Sequence, residues 1–307
     1  MRVRASSGRL PRRVAWIATL ALACVLTLAL AGCLGPSPSA EGPDLGGEAG
    51  YALVKPGKLT VVSDLANPPF DYYDSENVPA GFEVELMQAV AQKMGLECEY
   101  LPAQKFDSII PMIKQGGRAD VGASNFTITD ERLKEIDFTD AYIDSNQGIV
   151  TSSDIADTVA SDYGSVLNVP GVSVAVQSGT TGESWAQENL PAASIKSLDD
   201  PVTALTGVQS GQFTAAIADL PVMQYEVKNS FSSLALALQV PTGEQYGIVV
   251  SKDNPKLTAA VNEALEACTS DGTIDALKAK WFGDADASQI MATAAVAGAA
   301  VDSSGTG

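Results

Sequence analysis

Gly122-Ala123-Ser124-Asn125-Phe126-Thr127-Ile128-Thr129-Asp130-Glu131-Arg132, followed by Ile136-Asp137-Phe138-Thr139-Asp140-Ala141-Tyr142, is the stretch whose reading decides the fold. Asp120 to Ala123 reads as the end of a buried strand. Thr129 has the character of a helix N-cap, with Asp130 and Glu131 in the first turn, where the positive end of the helix dipole favours acids. Between strand and helix runs a loop of small and hydroxylic residues that ends at a single arginine. Loops at the carboxyl ends of parallel strands are where α/β sheets hold ligands, and an arginine fork suits a carboxylate. Taken alone, the stretch reads equally well as a surface turn with a solvated arginine, so the rest of the chain must decide.

Upstream, Leu59 to Ser63 reads as a strand and Asp64 to Phe70 as its loop. Phe82, Leu86, Val90 and Met94 recur every four residues, one apolar helix face stopped by Gly95. Cys98 to Leu101 is the next strand, and Phe106 to Lys114 a helix ended by Gly116-Gly117. Downstream the grammar repeats: strand Val172–Val176, helix Gly182–Leu190, strand Ala193–Lys196, helix Pro201–Gln209, strand Ala215–Ala218. This predicts two α/β lobes, each a mostly parallel sheet flanked by helices. Gln147-Gly148-Ile149-Val150 and Tyr246-Gly247-Ile248-Val249 echo each other and read as two strands crossing between the lobes. The expected layout is lobe one at 58–145, lobe two at 146–243, and a return to lobe one at 244–283 through the amphipathic helices Leu257–Ala267 and Thr273–Trp281.

The ends differ in kind. Arg2, Arg4, Arg9, Arg12 and Arg13 precede an apolar run from Val14 to Leu30, which is an export signal. It closes on Leu30-Ala31-Gly32-Cys33, the pattern of bacterial lipoprotein signals; the resemblance implies cleavage after residue 32 and lipidation of Cys33. Residues 33–57 then read as the lipidated cysteine and a flexible linker, and 284–307 as a low-complexity tail. Loss of residues 1–32 leaves 14 Lys and Arg against 37 Asp and Glu, a net charge near −23. That disfavours nucleic acid and anionic lipid surfaces as partners. The chain has no histidine, which excludes His-based triads and His-ligated metals, and no metal or cofactor is expected. A Cys98–Cys268 bridge is one possibility in an oxidising compartment, and spacing alone does not decide it.

Pro68-Pro69-Phe70, Gly81-Phe82-Glu83-Val84-Glu85-Leu86, Phe106 to Pro111, Thr127 to Arg132, Ile136 to Tyr142, Val176 to Gly182 and Trp281-Phe282-Gly283 stand in order along the chain. Together they resemble the motifs of extracellular solute-binding proteins of family 3, the polar amino-acid receptors of ABC importers. The resemblance implies the two-lobed type II periplasmic-binding fold closing on an amino acid. It assigns the ligand α-carboxylate to Arg132, Thr127 and the backbone N–H of Thr181 in the Thr180-Thr181 loop. It assigns the α-ammonium to Asp219 and to the backbone carbonyl of Asn125, so that the identity of residue 125 matters little. Asp64 and Phe106 are implied to face the ligand side chain, and Asn67 and Gln177 depart from the family pattern, which leaves side-chain specificity open.

Other readings of these residues stay open. Phe106 also suits a helix-start core position, Asp64 a turn cap, and Asp219 a cap for a helix from Val222 onward. The function implied is a lipid-anchored, extracytoplasmic, monomeric receptor that delivers an amino acid with a basic or amide side chain to ABC permease subunits. The alternative is an enzyme resembling cyclohexadienyl or arogenate dehydratase, with Asp64 or Glu183 as acid/base.

Overall fold

A computed structural model of the protein describes residues 50–283. The signal segment, Cys33 and the tail from 284 lie outside these residues.

Lobe one opens with β1 (Lys58–Val62), followed by a small antiparallel sheet of β2 (Ala66–Asn67), β3 (Asp71–Tyr73) and β4 (Pro79–Ala80). α1 (Phe82–Lys93) buries Phe82, Leu86, Met87 and Val90 and leads to β5 (Glu97–Tyr100), parallel to β1. Gly81, just before α1, has φ of 128°, and a Cβ there would lie 2.1 Å from the Phe70 carbonyl oxygen, so only glycine fits. α2 (Phe106–Gln115) and β6 (Val121–Gly122) complete a second strand–helix–strand unit, with β6 parallel to β1 on its other side. α3 (Asp130–Glu135) and β7 (Asp137–Phe138) end this pass.

β8 (Ile143–Ser152) carries the chain into lobe two. There α4 (Ala156–Ser161), α5 (Tyr163–Leu167), β9 (Ser173–Gln177), α6 (Thr181–Asn189), β10 (Ser194–Leu198), α7 (Pro201–Gln209), β11 (Ala215–Asp219) and α8 (Leu220–Asn229) follow. The long β12 (Leu234–Tyr246) runs back antiparallel to β8. β13 (Val249–Val250) inserts between β6 and β7, and α9 (Pro255–Ser270) and α10 (Thr273–Phe282) pack on α1. The two sheets have the orders β5-β1-β6-β13-β7 and β10-β9-β11-β8-β12. Each is covered on both faces by apolar clusters, which is why its parallel strands read as near-continuous apolar runs.

Several expectations need correction. The folded part begins before Lys58: Tyr51 and Leu53 are buried in the lobe-one core, and the Val54 N–H donates to Asp120 at 2.7 Å. Two aromatic or aliphatic side chains reach that core within four residues, so this end of the supposed linker is docked. Gln147–Val150 is not itself the crossing, because it lies inside the lobe-two sheet, where Gln147 pairs with Asp219. The crossing ladder is Ile143–Ser145 against Glu244–Tyr246. Helices α4 and α5 and the small sheet carry too little periodicity to be read in advance, whereas α8 is the helix left open after Asp219, which takes its N-cap position without a side-chain cap bond. Cys98 and Cys268 are free thiols against one core, and burial pushes the Cys98 thiol up to about 12. Among the described residues no helix is long and apolar enough to cross a membrane, and no group of three or more acidic or thiol side chains could hold a metal ion.

Candidate functional site

The carboxyl ends of β1 and β6 in lobe one face those of β9 and β11 in lobe two, where such sheets present their loops. Between them lies a cavity that opens in part to solvent. Its walls are Asn67, Phe106, Asn125, Thr127 and Arg132 from lobe one, and Gln177, Thr180, Thr181, Ala218 and Asp219 from lobe two.

Arg132 owes its place to the helix start read from the sequence. The Thr129 hydroxyl caps α3 by accepting the Arg132 N–H at 3.2 Å. The guanidinium then turns back, donating to the Thr127 carbonyl at 2.8 Å and across the cleft to the Gly179 carbonyl at 3.0 Å. It sits 5.5 Å from the ring centroids of both Phe106 and Phe126, which stack on each other. Burial lowers its pKa, while Asp219 and Glu244 act in the opposite direction. Facing it, Thr180 caps α6 by accepting the Glu183 N–H at 3.1 Å. The first-turn N–H groups of this nine-residue helix have no partner within it, which makes its start an anion-binding end.

Asp219 lies on the opposite wall. Its carboxylate accepts from Gln147 at 2.7 Å and from Asn125 of lobe one at 2.6 Å; burial raises its pKa, and these bonds oppose the rise. Asn125 adopts a left-handed φ of 41°, which asparagine tolerates better than most residues, while its own N–H donates to Glu83. The identity of residue 125 therefore matters more than the implied backbone role suggests: its side chain ties the two lobes together.

Asp64 also departs from expectation. It does not line the cavity. Its carboxylate accepts from Ser124, Asn67 and Gln177, each at 2.7 Å, which sets it one layer behind the amides of Asn67 and Gln177.

Sequence reasoning missed Glu244. It stands on the crossing strand β12, buried, accepting from Gln147 at 2.9 Å and from Thr127 at 3.3 Å. Burial and the nearby Asp219 push its carboxyl up to about 7. Gln147, whose amide nitrogen reaches both Asp219 and Glu244, heads one of the two echoed segments, and that echo was the available signal.

The cavity thus sets one half-buried cation in lobe one against an acid and a helix start in lobe two, within a chain whose family profile matches over residues 59–284. The chain belongs to the bacterial extracellular solute-binding proteins, family 3. Within that family it is similar to the arginine-binding extracellular protein ArtP of Bacillus subtilis, 31% identical over 270 residues, covering 87% of this chain and 97% of the relative. It is also similar to the L-cystine-binding protein TcyJ of Escherichia coli, 30% identical over 228 residues, 74% of this chain and 83% of the relative. Among solved structures it resembles the ancestral amino acid-binding protein AncCDT-1, a precursor of cyclohexadienyl dehydratase. That match has a TM-score of 0.67 and 37% identity, covering 74% of this chain and 96% of the other. The family is of type II periplasmic-binding architecture, in keeping with the two mixed α/β sheets joined by β8 and β12.

Proposed function

We propose that the protein captures one α-amino acid with a basic or amide side chain between its lobes and hands it to the permease of an ABC importer. It does so outside the cytoplasm, as a monomer held at the membrane through lipid on Cys33. The observation that carries this reading is the placement of Arg132 and Asp219, opposite charges from opposite lobes, on the walls of one cavity. Arg132, Thr127 and the N-terminus of α6 suit a carboxylate; Asp219 suits an ammonium. The named amino-acid relatives, binders of arginine and of cystine, support the ligand class.

Ligand docks first on lobe one through Arg132 and Thr127. Lobe two then closes on the paired strands β8 and β12, adding the Thr181 N–H and Asp219. Charge-assisted hydrogen bonds contribute roughly 1.5–3 kcal/mol each. Three or four of them, less the ordering cost, reach the ~8 kcal/mol of micromolar binding. The closed form is the one the permease receives, so ligand acts by shifting a two-state population. A thermal-shift panel of the common amino acids tests this: a ligand at 100 times its Kd adds about 2.7 kcal/mol of stability. If no amino acid raises the unfolding temperature, the reading is wrong.

A second reading, a dehydratase of the cyclohexadienyl type, draws on one observation. Glu244, pushed up to about 7 by burial and bonded to the cavity residue Thr127, has the character of a general acid. Asp64 and Glu183 fit that role less well, since Asp64 is closed off by neutral donors and Glu183 accepts the Gly179 N–H at 2.7 Å. Turnover of prephenate or arogenate to an aromatic product with release of carbon dioxide and water would establish it.

A further inference from the structure

Behind the cavity wall lies a small network drawn from both lobes. One Asp64 oxygen accepts from the Ser124 hydroxyl and the Asn67 amide, and the other accepts from the Gln177 amide of lobe two, all at 2.7 Å. The Gln177 nitrogen gives its second proton to the Asp199 carbonyl at 3.0 Å. Both Gln177 donors are therefore spent on acceptors behind the wall, and turning the amide over would set its oxygen against two other oxygens. Asn67 is held the same way by one. Leaving buried acceptors facing each other costs far more than a neutral hydrogen bond returns, so each amide has one favoured orientation. Among the described residues no donor reaches Asn67 Oδ1 or Gln177 Oε1, although both residues line the cavity.

We infer that Asp64 is a positioning residue that never touches the ligand: it locks Asn67 and Gln177 with their carbonyl oxygens toward the cavity, and this acceptor-rich wall selects a cationic side chain. The inference rests on the amino-acid reading and narrows it. An ammonium or guanidinium carries donors alone and satisfies both oxygens. An amide side chain brings an acceptor of its own to a wall where both Gln177 donors and one of the two Asn67 donors are already spent, and a carboxylate brings nothing else. Each Asp64 bond also aligns an amide dipole, its negative end toward the ligand, so the charge of Asp64 is felt through its two neighbours. Because Gln177 comes from lobe two, the wall is complete only when the lobes are closed.

The test is calorimetry of wild type and Asp64→Asn with arginine, lysine, glutamine and methionine, together with a crystal structure of the wild-type complex. Wild type is expected to bind arginine or lysine at least about tenfold more tightly than glutamine, the worth of one hydrogen bond to a charged group. In Asp64→Asn one of the two amides is free to turn a donor inward. The cation-to-glutamine ratio then falls about tenfold while methionine binding stays within about threefold. In the crystal, the side-chain cation lies within hydrogen-bond distance of Asn67 Oδ1 and Gln177 Oε1 and not of Asp64. A direct Asp64–ligand bond overturns the inference, as does equal weakening of every ligand or a wild type that prefers glutamine. The crystal structure decides the point even if the variant fails to fold. Failure of every amino acid to bind would bring down the amino-acid reading itself, whereas amino-acid binding without cation preference removes only this inference.

Discussion

The Asn125 amide of lobe one donates to the Asp219 carboxylate of lobe two at 2.6 Å, across 94 residues of sequence. The acid implied for the ligand ammonium is thus already engaged by the opposite lobe in the closed form. Ligand binding and lobe closure draw on the same carboxylate, which makes its partners the first targets for testing.

Arg132→Ala and Asp219→Ala each leave a desolvated ligand charge without its partner, which at buried sites costs about 2–5 kcal/mol. The expected loss is about 30-fold to several-thousand-fold in Kd, whichever side chain the ligand carries. X-ray scattering should show Arg132→Ala open with or without ligand, and Asp219→Ala partly compacted at saturation. Binding by both within threefold of wild type would refute the site.

Asn125→Gly keeps the left-handed backbone and removes only the interlobe bond, whereas Asn125→Val also strains φ. A hydrogen bond to a charged group is worth roughly 1.5–3 kcal/mol, so Asn125→Gly is expected to weaken ligand binding about tenfold or more. Asn125→Val should lose thermal stability as well. Unchanged affinity in the glycine variant would show that this bond does not support closure.

Gly179 lies at φ of 77°, and a Cβ there would be 2.9 Å from the Asp107 Cβ of the other lobe. Gly179→Ala should therefore obstruct the closed state in particular. Overpacking of this kind against Asp107 costs about 1–3 kcal/mol in the closed state, roughly tenfold weaker binding or more. The left-handed φ strains alanine in the open state as well, so the unfolding temperature without ligand should fall as it does for Asn125→Val, and scattering should show incomplete compaction.

Glu244 is raised from 4.5 to about 7 by burial, with Asp219 adding to the rise and Gln147 and Thr127 opposing it. A raised carboxyl pKa means the folded state binds more protons than the unfolded one between those values, so its contribution to stability falls as pH rises through that window. Glu83, also raised to about 7 by burial, acts in the same direction. Glu244→Gln should remove its own share, on the order of 2 kcal/mol between pH 5 and 7.5. Urea unfolding at both pH values checks this: an equal pH slope in wild type and variant would exclude Glu244 as the titrating group.

Cys33→Ser should leave export and ligand binding intact while abolishing membrane association. Fractionation with detergent partitioning reads the outcome. A variant that still partitions with membranes would show that lipid on Cys33 is not the anchor.

What the sequence determined by itself was whatever short-range chemistry encodes. Thr129 and Thr180 act as helix caps because a hydroxyl and the N–H three residues on are all that a cap requires. The four-residue recurrence from Phe82 to Val90 set α1, and the ordered motifs brought Phe106, Thr127, Arg132, Thr181 and Asp219 to one cavity without any knowledge of their distances. Only the tertiary structure decided what depends on partners far apart in the chain. Asp64 lies behind the wall because Gln177, 113 residues away, comes to rest between the lobes within reach of its carboxylate. Asn125 uses its side chain because Asp219 arrives opposite it, and Glu244 enters the site because β12 crosses the cleft beside Thr127. Tyr51 belongs to the core because α9 and β1 leave a buried surface that nothing local to Tyr51 announces. The first three are pairings made by closing two sheets over one cleft. The energy of such a pairing depends on which group stands opposite, and that group is absent from the local sequence.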